Sequence, residues 1–316
     1  MKIKYIDYYI GIMASEENFE YVKCNLCGSN LSDTFFKGKD IKYRKKGLFT
    51  VVKCKKCGLL YSNPRPKQSV ISSYYPDEYW DMGNNDGIME TKIKKIVHRF
   101  INKISFKMTL PPKTSGKVLD IGCGNGKALL KLKEEGWDTY GVEISDLAAE
   151  YVRNTYGLNI FTGIVEDAGF KDDFFDAIIL SHVIEHLSDP KTTLTEVNRI
   201  LKNEGILVIS APNANSFEVK HFKKYWIGWD LPRHFYHFTP NTITSLLNKV
   251  GFDVVNIKYD NNPNNILSSL KYIFMAHKIN PLLGLALSYP FANILSIILA
   301  KFKKSDSMIV FSTKKI

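Results

Sequence analysis

From residue 117 onward the sequence alternates β-prone runs with helical segments, and this alternation constrains the fold more than any other feature. Each β-prone run is short, and each helical segment repeats apolar residues at spacings of three and four. Strand, helix and strand in succession predict a parallel sheet covered by helices, so the fold class is α/β. The predicted strands are 118–121, 139–143, 159–162, 175–180, 206–210, 252–259 and 308–313, and the predicted helices are 126–136, 146–156, 189–202 and 240–250.

A glycine-rich turn follows the first predicted strand. Asp120 begins the run Asp-Ile-Gly-Cys-Gly-Asn-Gly, which ends where a helix begins, and Glu143 closes the next strand. The spacing is not the Gly-x-Gly-x-x-Gly of dinucleotide-binding folds, and the sequence has no Gly-Lys-Ser or Gly-Lys-Thr of a P-loop. A carboxylate that ends the second strand can accept hydrogen bonds from both hydroxyls of a ribose. A glycine turn alone is weak evidence of a ligand site, because several nucleotide-binding folds use one.

Four of the five cysteines form two Cys-x-x-Cys pairs that are 26 residues apart. Cys24 with Cys27, and Cys54 with Cys57, can supply four thiolates to one tetrahedral zinc ion. A glycine follows each second cysteine and suits the tight turn that aims both sulfurs at one ion. Four protein ligands close such a site, so we predict a structural zinc ion in a zinc ribbon. A redox pair is the competing interpretation.

Composition limits the classes of function. Hydrophobic residues make up 45% of the chain and charged residues 24%, which excludes wholesale disorder, collagen and a coiled-coil rod. The net charge of +11 favours anionic partners such as acidic lipid headgroups or phosphorylated metabolites. Only six of the 43 basic residues are arginine, and base-specific readers rely on bidentate arginine, so nucleic acid is disfavoured. The absence of a signal-peptide pattern after Met1 or Met13, the two candidate starts, predicts a cytoplasmic protein.

Proline pairs mark the domain boundaries. The run Asn-Pro-Arg-Pro at 63–66 is stiff, and Pro111 and Pro112 precede the α/β region. We predict a short helix within 67–80 and a basic amphipathic helix at 91–108. The predicted organisation is an extension at 1–20, the zinc ribbon at 21–66, a helical linker or cap at 67–115, and an α/β domain at 116–316.

Residues 117–260 resemble the class I methyltransferases that depend on S-adenosylmethionine (SAM). The resemblance implies a Rossmann-like seven-stranded sheet in the order 3-2-1-4-5-7-6, mostly parallel, with one antiparallel strand near its edge. A helical insert, 261–306, would precede the last strand. The matching runs are Leu-Asp-Ile-Gly-Cys-Gly-Asn-Gly at 119–126, Gly-Val-Glu-Ile-Ser at 141–145, Phe-Phe-Asp-Ala-Ile at 174–178, His-Val-Ile-Glu-His-Leu-Ser-Asp-Pro at 182–190, Glu-Val-Asn-Arg-Ile-Leu-Lys-Asn-Glu-Gly at 196–205 and Ala-Pro-Asn at 211–213.

The same resemblance implies the cofactor contacts. Asp120 and Gly122 would lie near the methionine amino group, Gly124 would let the backbone approach the ligand, and Glu143 would bind the ribose hydroxyls. Ile164 stands where the family usually has an acidic residue for the adenine, so that contact is left among Val165, Glu166 and Asp167. The remaining cofactor contacts are expected from Cys123, Gly126, Ile144, Ser181 and His182.

His182, Glu185 and His186 form the first candidate catalytic cluster, directly after the fourth predicted strand. Their spacing places them on one helical face. Related O-methyltransferases carry Glu-x-x-Glu-His here and bind a divalent cation that polarises the acceptor hydroxyl. His182 replaces the first Glu, so three interpretations stand. Glu185 and His186 hold a cation, one histidine acts as general base, or Glu185 and His186 brace the loop below the cofactor.

His234 and His237 form the second cluster, in a segment after the fifth predicted strand where such enzymes bind the acceptor. His234 is a candidate general base, against a hydrogen-bonded core or loop histidine. The aromatic residues Trp226, Trp229, Phe235 and Tyr236 are predicted to form a flat wall for the acceptor.

Residues 281–300 carry no charge, and the run is as long as a membrane span. Pro290 interrupts it, and the strands on both sides of the insert are expected to be neighbours, which argues against a single crossing. Two interpretations remain. Residues 261–304 bind a membrane surface, with the flanking lysines on anionic lipid, or they form an apolar cap or a dimer interface.

The zinc ribbon, the break at 63–66, the aromatic stretch 74–80 and the segment 229–238 resemble a subgroup associated with cell-surface polysaccharide and glycolipid synthesis. We therefore expect a methyltransferase that acts on a sugar hydroxyl of a glycan or a lipid-linked glycan, in the cytoplasm and peripheral to the membrane. The alternatives are methylation of a small aromatic or quinone-type lipid, an RNA-binding or RNA-modifying protein, and a cofactor-binding scaffold without catalysis.

Overall fold

The computed structural model describes residues 17–76 and 116–315. The predicted helix at 91–108, most of the predicted linker at 67–115 and most of the extension at 1–20 lie outside the described residues. The strands of the described residues are β1 (Phe19–Glu20), β2 (Ser32–Gly38), β3 (Phe49–Cys54), β4 (Leu60–Ser62), β5 (Arg65–Pro66), β6 (Lys117–Ile121), β7 (Asp138–Glu143), β8 (Asn159–Thr162), β9 (Phe175–Ser181), β10 (Leu201–Pro212), β11 (Tyr236–His237), β12 (Phe252–Tyr259) and β13 (Ser307–Lys314).

The helices begin at the residues that cap them best. Ser145, Asp189 and Thr239 accept a backbone N–H of the first turn with their side chains. Proline opens two of these helices, where its missing N–H costs nothing. The helices are α1 (Lys127–Glu134), α2 (Asp146–Tyr156), α3 (Pro190–Ile200), α4 (Phe217–Phe222), α5 (Pro240–Lys249), α6 (Asn264–Ala276) and α7 (Pro281–Lys301).

Seven strands form the central sheet in the order β12-β13-β10-β9-β6-β7-β8. The pairs from β10 to β8 are parallel, whereas β13 runs antiparallel to both β10 and β12. This arrangement confirms the predicted α/β fold, the 3-2-1-4-5-7-6 order and the antiparallel strand near the edge. The central strand β9 is almost wholly buried, as expected of a parallel strand with helices on both faces.

A second sheet joins residues 21–66, which we call the cysteine segment, to the α/β domain. Its order is β11-β4-β3-β2, so a two-residue strand from the α/β domain is added to the hairpins that carry the cysteines. Tyr236 pairs with Tyr61 and His237 with Leu60, and the N–H of Ser62 donates to the carbonyl of Phe235. One hydrophobic cluster contains residues of both parts, including Cys24, Tyr61 and Phe235.

The helix predicted within 67–80 is a single 3-10 turn, Ile71–Tyr74. Tyr75 is extended, with φ −94° and ψ 147°, because Pro76 disfavours the helical conformation in the residue before it. The predicted strand 206–210 is also longer in the structure, where β10 begins directly at the end of α3.

The insert between β12 and β13 is a helical hairpin of α6 and α7. The two strands that flank it are hydrogen-bonded neighbours, so both ends of the hairpin lie at one edge of the sheet. Gly284 of α7 packs against Phe274 of α6 so closely that an added Cβ would lie 2.7 Å from the ring.

Candidate functional site

A cavity of about 820 Å³ lies at the carboxyl ends of β6, β7 and β8. This edge of a parallel sheet is where open α/β folds bind ligands. Residues that follow each strand line it, and so does the 3-10 turn Ile71–Tyr74 with Tyr75 from the N-terminal part. The sequence did not predict this N-terminal wall, although the aromatic run around Tyr75 marked the segment.

The glycines of the turn have different roles. Gly122 and Gly126 both have positive φ, and an added Cβ would lie 2.5 Å from a valine side chain at either position. Gly124 has φ 52° and faces open space, with nothing within 4 Å of an added Cβ. The first two therefore serve packing, and Gly124 leaves room for a ligand beside the backbone.

Two buried carboxylates flank this turn. Glu143 accepts the N–H of Gly124 at 2.8 Å and the N–H of Ser145 at 3.0 Å, one with each oxygen. Asp120 is 4% exposed, and its Oδ1 has no hydrogen-bond partner within the described residues. Burial, and then the charge of Glu143, raise the pKa of Asp120 to about 7. A buried carboxylate oxygen without a partner fits a cationic or N–H group of a bound molecule.

Part of the cavity wall is apolar. Ile144, Leu147 and Ile164 line it and are 55%, 64% and 45% exposed, so their side chains project into open space. Val165 and Glu166 line it as well, and the hydroxyl of Thr193 donates to Glu166 Oε1 at 2.6 Å. A flat apolar ring fits between such side chains.

The other predicted cofactor residues lie elsewhere. Cys123 is buried in the turn, and burial together with Asp120 and Glu143 raises the pKa of its thiol well above the usual range. Of the predicted cofactor residues, Gly122, Ile144, Val165 and Glu166 line the cavity. The others are not among its lining residues: Asp120, Cys123, Gly124, Gly126, Glu143, Asp167, Ser181 and His182.

His182 and Glu185 form a hydrogen-bonded pair after β9. His182 has a left-handed backbone with φ 56°, and its Nδ1 lies 3.2 Å from Glu185 Oε1. Burial opposes ionisation of both groups, but their mutual attraction raises the pKa of His182 and lowers the pKa of Glu185 to about 2. Glu185 is 1% exposed, and its second oxygen, Oε2, has no partner among the described residues.

His186 is the predicted catalytic residue that lines the cavity. Its Nδ1 lies 3.1 Å from the carbonyl of Arg233. A carbonyl only accepts, so Nδ1 carries the proton and Nε2 has the free lone pair. Burial, and then His234, lower the pKa of His186 to about 4, so the ring is neutral at neutral pH.

His234 and His237 lie behind His186. The rings of His186 and His234 are 4.5 Å apart and nearly perpendicular, and Nδ1 of His234 donates to the carbonyl of Gly228 at 2.8 Å. His237 is 2% exposed in β11, next to the ring of Trp229, and burial lowers its pKa to about 3. Neither histidine lines the 820 Å³ cavity.

Two histidines, one of them His186, and one carboxylate lie close together. Ligand atoms of Glu185, His186 and His234 all lie within 4.8 Å of one another. The unpartnered Oε2 of Glu185 makes the set suitable for one divalent cation. The sequence predicted the first two of these residues for a cation and missed the third, which is 48 positions further along the chain.

Arg233 holds in place residues 234–237, which we call the histidine segment. Its guanidinium donates to both oxygens of Asp40 and to Oδ1 of Asp230, and its Nη1 also donates to the carbonyl of Tyr74. Despite burial, the two carboxylates raise the pKa of Arg233 above its ordinary value. Sequence analysis missed Asp40, which lies in the loop between β2 and β3 and carries no local signal.

The predicted aromatic wall for the acceptor is wrong. Trp226, Phe235 and Tyr236 are at most 2% exposed, because their rings fill the space between the cysteine segment and the α/β domain. Trp229 lines a second cavity, of about 1100 Å³, next to the helical hairpin.

The four paired cysteines converge on one point. Sγ of Cys24 lies 3.4 Å from Sγ of Cys57, Sγ of Cys27 lies 3.5 Å from Sγ of Cys54, and all four sulfurs lie within 4.8 Å of one another. A turn closes each pair, with the N–H of the following glycine donating to the first cysteine's carbonyl. Tetrahedral ligation with bonds of about 2.3 Å needs sulfurs at such separations.

Comparisons with known proteins agree with this geometry. A family model described as a methyltransferase domain matches residues 87–257, more than half of the chain. A ubiquinone biosynthesis O-methyltransferase of Cereibacter sphaeroides is 30% identical over an alignment of 155 residues, and the match covers 45% of this chain and 62% of that protein. A Mycobacterium tuberculosis protein named as a probable S-adenosylmethionine-dependent methyltransferase is 26% identical over 155 residues, 48% of this chain and 54% of that one.

The matched region spans less than two thirds of the length of these curated relatives. Among solved structures, a chain from the complex between the Haloferax volcanii Trm112 methyltransferase activator and a methyltransferase is similar, with a TM-score of 0.52. It is 18% identical, and the match covers 77% of this chain and all of that one. The structural likeness concerns the fold alone.

Proposed function

The chain belongs to the methyltransferase domain family, and we propose that it binds SAM in the 820 Å³ cavity and methylates a hydroxyl group of its acceptor. One observation carries the proposal. Asp120 and Glu143 present buried carboxylates near the carboxyl ends of two adjacent parallel strands, on either side of a turn whose Gly124 faces open space. Their chain neighbours Ile121, Gly122, Val142 and Ile144 line the cavity.

The residues present fit the donor molecule. The unpartnered Oδ1 of Asp120 would accept a hydrogen bond from the amino group. Glu143, which the N–H groups of Gly124 and Ser145 orient, would accept hydrogen bonds from the ribose hydroxyls. Ile144 and Ile164 would enclose the adenine. Bound SAM supplies an electrophilic methyl group on a sulfonium.

His186 is the residue that we assign as general base. It lines the cavity, it is neutral at neutral pH, and its Nδ1 proton is engaged with a carbonyl, which leaves Nε2 to take the acceptor's proton. His182 and Glu185 support the loop, and His234 packs behind His186. The protein contributes mainly by holding the acceptor oxygen about 3 Å from the methyl carbon and by excluding water.

In a second arrangement, the same residues bind a divalent cation. Glu185, His186 and His234 would hold it, and it would lower the pKa of the acceptor hydroxyl. The two arrangements exclude each other, because a neutral imidazole has one nitrogen lone pair and each arrangement uses that of His186. Turnover that survives dialysis against a chelator supports the histidine base, and turnover that returns only on metal addition supports the cation.

The cysteine segment is proposed to be a zinc ribbon whose ion is structural. Four protein ligands close the site, and its strand β4 carries β11 as a neighbour. The ribbon would thereby set the position of the histidine segment, rather than take part in the chemistry.

For the acceptor we propose a sugar hydroxyl of a glycan or a lipid-linked glycan, as the sequence led us to expect. A second candidate is a hydroxyl on a quinone-type aromatic lipid. The name of the Cereibacter sphaeroides relative favours it, since that protein is a ubiquinone biosynthesis O-methyltransferase.

Titration calorimetry with SAM tests the site. We expect binding to the native chain and a loss of at least about a hundredfold in affinity for Glu143→Ala, because buried hydrogen bonds to the ribose disappear. Asp138→Ala, at the exposed opposite end of β7, is the matched control and should keep native affinity. Equal affinity of native chain and Glu143→Ala would contradict the assignment of the cavity.

A further inference from the structure

The outer side of α7 is apolar and exposed. Leu283, Leu287, Phe291, Ile294 and Ile298 follow one another at spacings of three or four residues and are 45–75% exposed. We call these five residues the outer face of α7. Residues at these spacings share one side of a helix, and 281–300 contain no charge that would interrupt it.

The inner side of α7 is fixed to the domain. Ala292, Ser296 and Leu299 are buried, and they pack with Ile266 of α6 or bond to the body of the protein. The hydroxyl of Ser296 donates to the carbonyl of Asn261 at 2.7 Å. The outer face is therefore held in one orientation, and it covers no other part of the described chain, so the structure does not support a cap buried in the monomer.

Lysines surround this face. Between residues 261 and 304 the sequence has five lysines and no aspartate or glutamate. Lys278 precedes α7, and Lys301, Lys303 and Lys304 lie at its end, beside the 69% exposed Phe302. The 1100 Å³ cavity beside the hairpin adds four more lysines, at 37, 220, 223 and 224, and none of the described residues that line it is acidic.

We propose that the outer face of α7 docks on the surface of a lipid bilayer that contains anionic lipids. The apolar side chains enter the boundary between headgroups and acyl chains, and the lysines at both ends of α7 contact the acidic headgroups. The 1100 Å³ cavity then lies at the level of the headgroups, because His277 at the hairpin turn and Lys304 after α7 both line it.

The geometry excludes a crossing. In length and composition α7 alone, among the described helices, could cross a membrane. The chain must return to the same sheet edge through α6, whose 13 residues span about 20 Å against a hydrocarbon core of about 30 Å. Lys271 also lies within α6. The hairpin is therefore suited to lie on the bilayer.

Charge favours lipid over a second copy of the chain. Both ends of α7 carry lysines. In a symmetric pair of α7 helices, each end would therefore lie beside a lysine-bearing end of the second copy, whether the helices run parallel or antiparallel. Residues 261–304 include no acidic residue to neutralise them, so like charges would face across that interface. Anionic headgroups neutralise them directly.

Vesicle flotation of the full chain tests the proposal without any methyl donor. The native chain should float with vesicles of phosphatidylcholine and phosphatidylglycerol, and less with phosphatidylcholine alone. Leu287→Asp with Phe291→Asp should lower partition at least about tenfold on both vesicles, since the apolar contact is lost. Leu31→Asp, which puts the same charge at a 66% exposed leucine of the cysteine segment, should not change it.

A second pair of variants tests the charges. Lys303→Gln with Lys304→Gln should lower partition on anionic vesicles about 25-fold, because each lysine near such a surface contributes about a fivefold factor. The control pair is Lys46→Gln with Lys56→Gln, two exposed lysines of the cysteine segment. High salt should reduce the difference between the two kinds of vesicle.

Three results would overturn the proposal. One is no flotation of the native chain, and another is unchanged flotation of the α7 variants. The third is a native dimer in sedimentation velocity that Phe291→Asp dissociates, in a chain that does not bind vesicles. None of them would affect the assignment of the SAM cavity, which calorimetry tests separately.

Discussion

Arg233 and Asp40, which are 193 residues apart in the sequence, form two hydrogen bonds of 2.9 Å with both side chains fully buried. The pair joins the cysteine segment to the segment that carries His234 and supports His186 through the carbonyl of Arg233. A bidentate pair of this kind fixes geometry as well as charge.

Asp40→Ala should destabilise the protein. It leaves the buried guanidinium with Asp230 as its remaining carboxylate partner among the described residues, and breaking a buried pair costs about 3 kcal/mol. Urea unfolding measures the change in the free energy of unfolding. Asp33→Ala is the control, because it removes a carboxylate from an exposed pair with Lys55. It should change the free energy of unfolding by less than about 0.5 kcal/mol. An equal effect of both variants would contradict the structural role of Asp40.

Asp120 should make stability and SAM affinity respond to pH in opposite directions. The folded chain holds its proton up to about pH 7, whereas the unfolded chain releases it near the ordinary value of 3.8. Between these values the folded state binds more protons, so stability falls as pH rises. At about pH 8, Asp120→Asn should therefore raise the free energy of unfolding of the ligand-free protein by about 4 kcal/mol, since one pKa unit corresponds to about 1.4 kcal/mol.

Affinity for SAM should instead increase through about pH 7, because the ionised Asp120 faces the amino group. Calorimetry on the native chain at about pH 6 and about pH 8 measures this, with Asp120→Asn as the reference that should show no such rise. Parallel pH profiles of native chain and variant would show that another group is responsible.

His186→Ala should lower kcat about 10²- to 10⁴-fold, as expected for the loss of a general base. SAM affinity should stay within about threefold of native, so that the defect lies in the chemical step. His234→Ala should also reduce turnover with SAM affinity intact, because it removes the ring that packs on His186. As a control, His221→Ala changes an exposed histidine and should leave kcat unchanged. A native kcat in His186→Ala would contradict the assignment of His186 as the general base.

The purified chain should contain one zinc ion per molecule by elemental analysis. Cys54→Ser should lose it and unfold at a lower temperature, since ligation energy is folding energy in small metal-bound segments. Turnover should fall with it, because β4 pairs with β11 in the histidine segment. Cys123→Ala, which changes the unpaired cysteine, should keep the zinc. Native zinc content in Cys54→Ser would contradict the ribbon.

The sheet of the α/β domain could be predicted because its signals are local. Apolar runs such as β9 and capped helices such as α2 show their periodicity within a dozen residues. The glycine turn, Glu143 and the cysteine pairs could also be predicted, because they occur at fixed spacings in the sequence.

Long-range packing could not be predicted. β11 has two residues and no periodicity, and it is a strand only because β4 lies beside it. Aromatic residues at 226, 235 and 236 suit a ligand surface and a core equally well. In the structure they are buried in the core. Asp40 and Arg233 meet through tertiary structure alone.

The most direct test of the account is transfer of a labelled methyl group. The purified chain is incubated with methyl-labelled SAM and the lipid, glycan, RNA and small-molecule fractions of its own cells, with Glu143→Ala as the inactive control. We predict label in the glycan or glycolipid fraction with the native chain only. Label in RNA, or no label above the Glu143→Ala control in any fraction, would contradict the account.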